Sequence, residues 1–304
     1  MTNFVQVLID AIALGSLYAL VALAIGLVFG VMRLINFAQA DYIVIGAYSL
    51  VIPTTSAVPA MLFGALPSVV MIFCVVLTVT VLALMTERVA FRPLRNTDPT
   101  TLLISSFAVS YFLQSLIVMF HGGRPKTISI GEGLTSAVEV FGIRIPGVQL
   151  ITMGVALTLL VTLVFFLKKT PLGIQLRAAA ENFQMARLLG VPANRVIAIA
   201  FAISGMLGGT ISLLFVIQTG TLDIRMGLMP TVYAFFATVI GGIGSLPGAV
   251  LGGYIVGIVS VLLQAYLPEE ARAFRDAGVF SLVILILLVR PQGLIVTSAA
   301  KERV

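Results

Sequence analysis

Asn36, Gln39 and Asp41 fall within INFAQADYIVIGAY, residues 35–48, an amide pair and a carboxylate in a chain that is otherwise close to unbroken hydrocarbon. Two kinds of chemistry suit them. An acid at position 41 can cap the helix that follows by accepting backbone N–H bonds, worth about 1 kcal/mol. Alternatively it can face water or a solute inside a membrane, where ionisable side chains mark pathways. Nearby Arg33 and Asn36 suggest a membrane boundary and favour the cap or an interfacial position, with Asn36 and Gln39 bonding backbone groups freed there. A second interruption, GGIGSLPGAVLGGYIVG, supplies Gly241, Gly242, Gly244, Ser245 and Pro247. Pro247 lacks an amide hydrogen and is expected to break a helix at Ser245 and Leu246. Gly244, Gly248 and Gly252 recur every four residues, a face without side chains against which another backbone can pack. These residues are the pathway candidates.

Group-transfer chemistry has little footing. The lone His121 lies beside Gly122 in a loop, the lone Cys74 falls in an apolar run, and neither has partners at metal-ligand spacing. HExxH and GxSG are absent, so no catalytic residue is assigned. No GxxxxGK[ST] phosphate loop is present, so the chain is not expected to bind ATP or another cofactor itself.

The elements that position the candidates follow from composition. Of 304 residues 60 % are hydrophobic and 10 % charged, which with a mean hydropathy of +1.14 is a multi-pass membrane protein. Basic residues gather in short loops and not along one exposed face, which argues against a nucleic-acid partner. About 20 apolar residues make a span. Helices are expected near 4–32, 41–63, 66–86, 100–120, 148–167, 196–217, 229–243, 247–267 and 278–290, eight or nine in total. The whole of 1–304 reads as a single all-α transmembrane domain with two pseudo-symmetric halves, each carrying one interrupted helix.

Twelve of the 18 basic residues fall in Arg33, TERVAFRPLRNTD, 168–195 and the tail with Arg290, Lys301 and Arg303, which places those segments in the cytoplasm. The C-terminus is then cytoplasmic and the N-terminus outside. The outer segment 121–147 is Gly-rich, and its VEVFGIRI alternates like a hairpin turning at Phe141 and Gly142; it reads either as a small docking surface or as a solvated connector.

Within the cytoplasmic loop 168–195, LGIQLRAAAENFQMARLLGVP reads as one helix too polar to span, between Pro171 and Gly190. Ala179, Phe183, Ala186 and Gly190 form a small-residue stripe with one aromatic knob, suited to a groove on another protein. A helix lying on the membrane is the alternative, but three consecutive alanines offer it little apolar area.

With these residues placed, the sequence resembles the permease subunits of bacterial ABC importers for branched-chain amino acids and related small solutes. Four stretches carry the likeness in order: GSLYALVALAIGLVFGVMRLINFAQADYIVIGAY, ERVAFRPLR, RAAAENFQMARLLGV, and VIGGIGSLPGAVLGGYIVGI followed by VRPQGL. Relatives carry Gly before the acid of the first stretch, where this chain has Ala40, a weaker helix breaker. The resemblance implies alternating access powered by separate ATPase subunits, with Glu181, Ala186 and Gly190 on a coupling helix. It implies two cytoplasmic ATPases holding ATP and Mg, a second permease subunit that is a paralogue, a periplasmic solute-binding protein, and a place in the bacterial inner membrane. The same architecture could carry urea, amides or another small solute. An ion-coupled secondary carrier would need ionisable groups in the membrane, for which Asp10 and Asp41 are the candidates.

Overall fold

The computed structural model describes residues 2–33, 35–95, 97–130, 137–140, 143–242 and 244–295. Its helices are α1 (Thr2–Met32), α2 (Gln39–Tyr48), α3 (Ser68–Thr86), α4 (Pro99–His121), α5 (Gly147–Lys169), α6 (Pro171–Glu181), α7 (Phe183–Leu188), α8 (Ala193–Thr219), α9 (Leu228–Gly241), α10 (Leu246–Tyr266) and α11 (Arg275–Val289). Six are long and apolar enough to cross a membrane, namely α1, α3, α4, α5, α8 and α10, and α2, α9 and α11 are shorter. A π-helical turn, Glu87–Phe91, extends α3. The expected helix 41–63 is not continuous. It ends at Tyr48, and 49–67 is irregular chain with one bridge, Val51 to Met61, and a 3-10 turn at Phe63–Ala65.

Apolar residues all around α1 make it the natural centre of the bundle. The most apolar window of α1 is 83 % buried, against 22 % for each of α3, α4 and α5, whose outer faces are free for lipid or another subunit. Lipid is as apolar as leucine, so close backbone packing must hold such helices together. Glycine permits it. A Cβ on Gly253 would stand 2.4 Å from Ala19 Cα, and one on Gly257 would stand 2.3 Å from Gly15 Cα, so α10 rests directly on α1. On the other side of α10, a Cβ on Gly252 would lie 1.9 Å from the Ala237 carbonyl of α9. Of the expected stripe, Gly248 and Gly252 both face α9 and Gly244 meets nothing within 4 Å, while Gly253 and Gly257 form a second stripe toward α1.

Contacts between loops define two ends of the bundle. At one end Arg95 bonds Glu87 and Asn194, joining the α3–α4 connection to the start of α8. At the other, β1 (Lys126–Thr127) pairs antiparallel with β4 (Thr221–Leu222), and the buried Lys126 ammonium donates to the Thr54 and Ser56 carbonyls. The strands β2 (Ala137–Val140) and β3 (Ile143–Pro146) form the expected hairpin, while Phe141 and Gly142 lie outside the described residues. Lys301 and Arg303 lie outside them as well. Near the basic end the Leu294 and Ile295 amides donate to the carbonyls of Ile240 (2.8 Å) and Gly241 (3.0 Å), fastening the end of the described chain to α9.

Replacing Gly257 with valine should drive α10 away from α1 and cost about 1–3 kcal/mol or more. Gly154→Ala, where nothing lies within 4 Å, should be neutral or mildly stabilising. Thermal unfolding of the two variants in detergent checks the contrast.

Candidate functional site

The first interruption forms where the sequence places it. Helix α1 stops at Met32, Arg33 takes a left-handed φ of 55°, and α2 begins only at Gln39. Gln39 clasps α8, with its Oε1 accepting from the Ser204 hydroxyl at 2.7 Å and its Nε2 facing the Ser204 carbonyl at 3.5 Å. Asn36 Oδ1 accepts from the Ala38 amide at 3.2 Å, whereas its Nδ2 has no partner. The Tyr42 and Thr86 hydroxyls bond each other, tying α2 to α3.

Asp41 does not cap the helix. The N-cap residue is Ala38, with no side-chain capping bond, and Asp41 sits in the first turn. Its side chain is buried at 1 % exposure, its Oδ2 has no hydrogen-bond partner, and Ser110 and Gln114 of α4 face it. A carboxylate near a helix N-terminus is favoured by the dipole without being the cap.

The second interruption is not where the glycines suggested. Gly242 and Gly244, with φ of 107° and 88°, make a tight turn between α9 and α10. Ser245 is the N-cap of α10, accepting from the Gly248 amide at 3.1 Å, and Pro247 stands in the first turn. Proline there loses nothing, because first-turn amides have no intrahelical acceptor. It starts a helix instead of breaking one. Neither Gly241, buried against Gly248, nor this turn meets the α2 residues; all lie beside the C-terminal segment and α6.

The irregular chain of the second half lies upstream, in 223–227. Helix α9 has 14 residues, about 21 Å at 1.5 Å each, too short for a hydrocarbon core of about 30 Å. The preceding segment completes the distance. Leu222, Ile224 and Met226 pack beside Val44, Tyr48 and Leu50, and Gly227 closes on Ala40, where a Cβ would lie 2.2 Å from the carbonyl oxygen. Thus the N-termini of α2 and α9 meet, and neither has a side-chain cap. Gly227 is needed for that approach, whereas Ala40 fits without strain. Asp223 lies in this segment, its Oδ1 accepting from the Arg225 amide at 2.7 Å, and Arg225 is exposed. The signal in the sequence was length, since no more than 14 residues separate GTLDIRMG from the next glycine pair.

The cytoplasmic loop also differs from one helix. Asn182, extended at φ −148°, ends α6 and caps α7 by accepting from the Met185 amide at 3.0 Å. Ala179 and Ala186 are buried and Phe183 is half-buried against the same core, so these three members of the stripe pack on the chain's own bundle, while Gly190 is exposed. Gly190, at φ 85°, terminates the arm. Glu181 is exposed, and the outward face is Met185, Leu188 and Leu189, at 57, 82 and 84 % exposure. Beneath the arm, burial holds the Arg95 guanidinium below its ordinary pKa, opposed by the Glu87 carboxylate; it stays a cation.

A bundle of membrane-length helices with two broken segments meeting inside it and a helical arm at its basic end is a multi-pass membrane permease. Residues 7–289 match the family described as the branched-chain amino acid transport system permease component, and the chain belongs to that family. As a permease component it is a transport subunit and not itself an enzyme. The high-affinity branched-chain amino acid transport system permease protein LivH of Escherichia coli K12 is 33 % identical over 96 % of this chain and 95 % of its own. The corresponding protein BraD of Pseudomonas aeruginosa is 31 % identical over 96 % of each. A chain of PsaBC from Streptococcus pneumoniae aligns over 93 % of this chain and 91 % of its own, at a TM-score of 0.49 and 14 % identity, a likeness too loose to carry residue roles.

Ser204→Ala and Gln39→Leu should each lower stability by about 1–3 kcal/mol by orphaning a buried partner. The double variant should lose less than the sum, because the two share one bond. Denaturation of the four proteins in detergent checks the coupling.

Proposed function

We propose that this chain is the membrane-spanning subunit of an ATP-driven importer for branched-chain or other hydrophobic amino acids. The observation that carries the reading is the α6–α7 arm, which holds three large apolar side chains, Met185, Leu188 and Leu189, in the open at the basic end of the bundle. Apolar residues clustered on a polar end mark a protein interface. Two cytoplasmic ATPase subunits carrying ATP and Mg would grip that arm. The buried Ala179 and Ala186 would pass its motion to α1 and α5, so the stripe acts as the anchor of the lever and Leu188 and Leu189 as its handle. By this orientation the C-terminus is cytoplasmic, the N-terminus and 121–147 are periplasmic, and the membrane is the bacterial inner membrane. A second permease, a paralogue, would complete the pathway, and a periplasmic solute-binding protein would deliver the cargo.

The pathway itself is proposed to run beside α2 and the start of α9. Two uncapped helix N-termini offer backbone donors and positive dipole ends to a carboxylate. Asp41 offers the opposite charge to an ammonium group, a match to a zwitterion with an aliphatic side chain. Asp10 fits poorly as the coupling site of a secondary carrier, since Gln6 and Gln149 already donate to its carboxylate at 3.2 and 2.8 Å.

Leu188→Asp with Leu189→Asp should remove the ATPase from the purified complex and reduce uptake to background while the chain stays monodisperse. Retained ATPase would refute the docking face. Radiolabelled leucine, isoleucine and valine should enter vesicles containing the full transporter and compete with one another but not with urea. Asp41→Asn should cut that uptake at least tenfold with little change in melting temperature, and wild-type uptake by this variant would remove Asp41 from the pathway.

A further inference from the structure

Between the arm and the bundle lies a cavity of about 620 Å³, within the roughly 300–1,000 Å³ of small-molecule sites. Four arginines line it, namely Arg33 from the end of α1, Arg92 and Arg95 from the α3–α4 connection, and Arg187 from α7. Arg95 is committed to Glu87 and Asn194, though its buried Nε has no partner. Among the described residues no carboxylate pairs with Arg33, Arg92 or Arg187. Among the described residues, three positive charges thus converge on one hollow, and the Glu87 carboxylate nearby is taken up by Arg95.

Arg33 adds an independent sign. It is the one non-glycine residue with positive φ among those described, a conformation that costs of order 1 kcal/mol and gathers at ligand sites. Gln184 and Asn194 also line it, and its bundle side is apolar, formed by Val31, Met32, Leu102 and Ile197. Guanidinium groups above an apolar wall at a membrane boundary suit a phosphate that carries hydrocarbon.

We propose that this cavity binds the phosphodiester headgroup of an anionic phospholipid from the leaflet on the basic side. The phosphate would lie between Arg33, Arg92 and Arg187, with the first part of the acyl chains along Val31 and Leu102. Because Arg187 belongs to α7 and Arg33 to α1, the lipid would brace the arm against the bundle. Transport would then depend on membrane composition.

Native mass spectrometry of the assembled transporter, stripped of lipid and titrated with phosphatidylglycerol, tests this directly. One bound lipid per copy of the chain is expected. Arg33→Gln with Arg92→Gln should weaken binding roughly 30-fold, about fivefold for each charge and compounded by lost hydrogen bonds; Arg187→Gln serves if the pair fails to fold. Lys168→Gln with Lys169→Gln, at the exposed end of α5, should bind as the unaltered protein does. Equal binding by the arginine variants would overturn the proposal. So would displacement of the lipid by an equal concentration of inorganic phosphate, which would make the site one for soluble anions, or lipid binding that appears only once the ATPase subunits are dissociated, which would make the occupant an acidic partner surface. The titration does not depend on the cargo, so a failure to import amino acids would leave it readable.

Discussion

Backbone-to-backbone contact between α1, α9 and α10 is the constraint on which the remaining structure depends. In water such a core would be driven together by apolar burial, but among lipids that force is absent and fit must replace it. Gly253 and Gly257 against Ala19 and Gly15, and Gly252 against Ala237, bring three helices to distances that any side chain would prevent. With that wedge fixed, α8 and α3 close in the same manner through Gly205 and Gly209, where a Cβ would lie 2.8 Å from Thr80 Cα and from Val76 Cα. The shorter helices then occupy what the long ones leave. The inner ends of α2 and α9 need not reach the membrane surface because protein surrounds them.

That enclosure makes irregular chain affordable inside the membrane. Residues 35–38 and 223–227 are irregular chain set among helices, and unpaired backbone would cost several kcal/mol in hydrocarbon. They converge on one place, Gly227 against Ala40, with Gln39 and Ser204 locking the nearby helix. A buried carboxylate with an idle oxygen, an idle Asn36 amide and two uncapped helix starts are therefore neighbours of a packed, immobile scaffold. The arm at the basic end is built on the same scaffold through Ala179 and Ala186.

Much of this was legible in the residues. Long apolar runs, the loop charges and the INFAQAD interruption led to the spans and to a polar cluster on α2, and the family motifs led to the permease. What could not be read was direction. Periodicity marks Ala179, Ala186 and Gly190 as a stripe but does not say whether a partner or the chain's own core takes it, and the structure assigns Ala179 and Ala186 to the core. Pro247 reads as a breaker until Ser245 is seen capping the helix that contains it. Asp41 looked like a cap because spacing cannot reveal that the cap position lies three residues earlier, at Ala38. The charges of 223–227, Asp223 and Arg225, are those of any exposed connection, so only the shortness of α9 sets that segment apart.

The hook made by Leu294 and Ile295 on the carbonyls of Ile240 and Gly241 has a bearing on biogenesis. The α9–α10 corner leaves the ribosome some fifty residues before its partners do, so during translation its acceptors must be met by water or by the insertion machinery. Assembly of that corner is thus a late event, completed once α10 has led the chain away and α11 has brought it back. A nascent chain halted inside α11 would hold every upstream helix and yet lack the clasp that seals them.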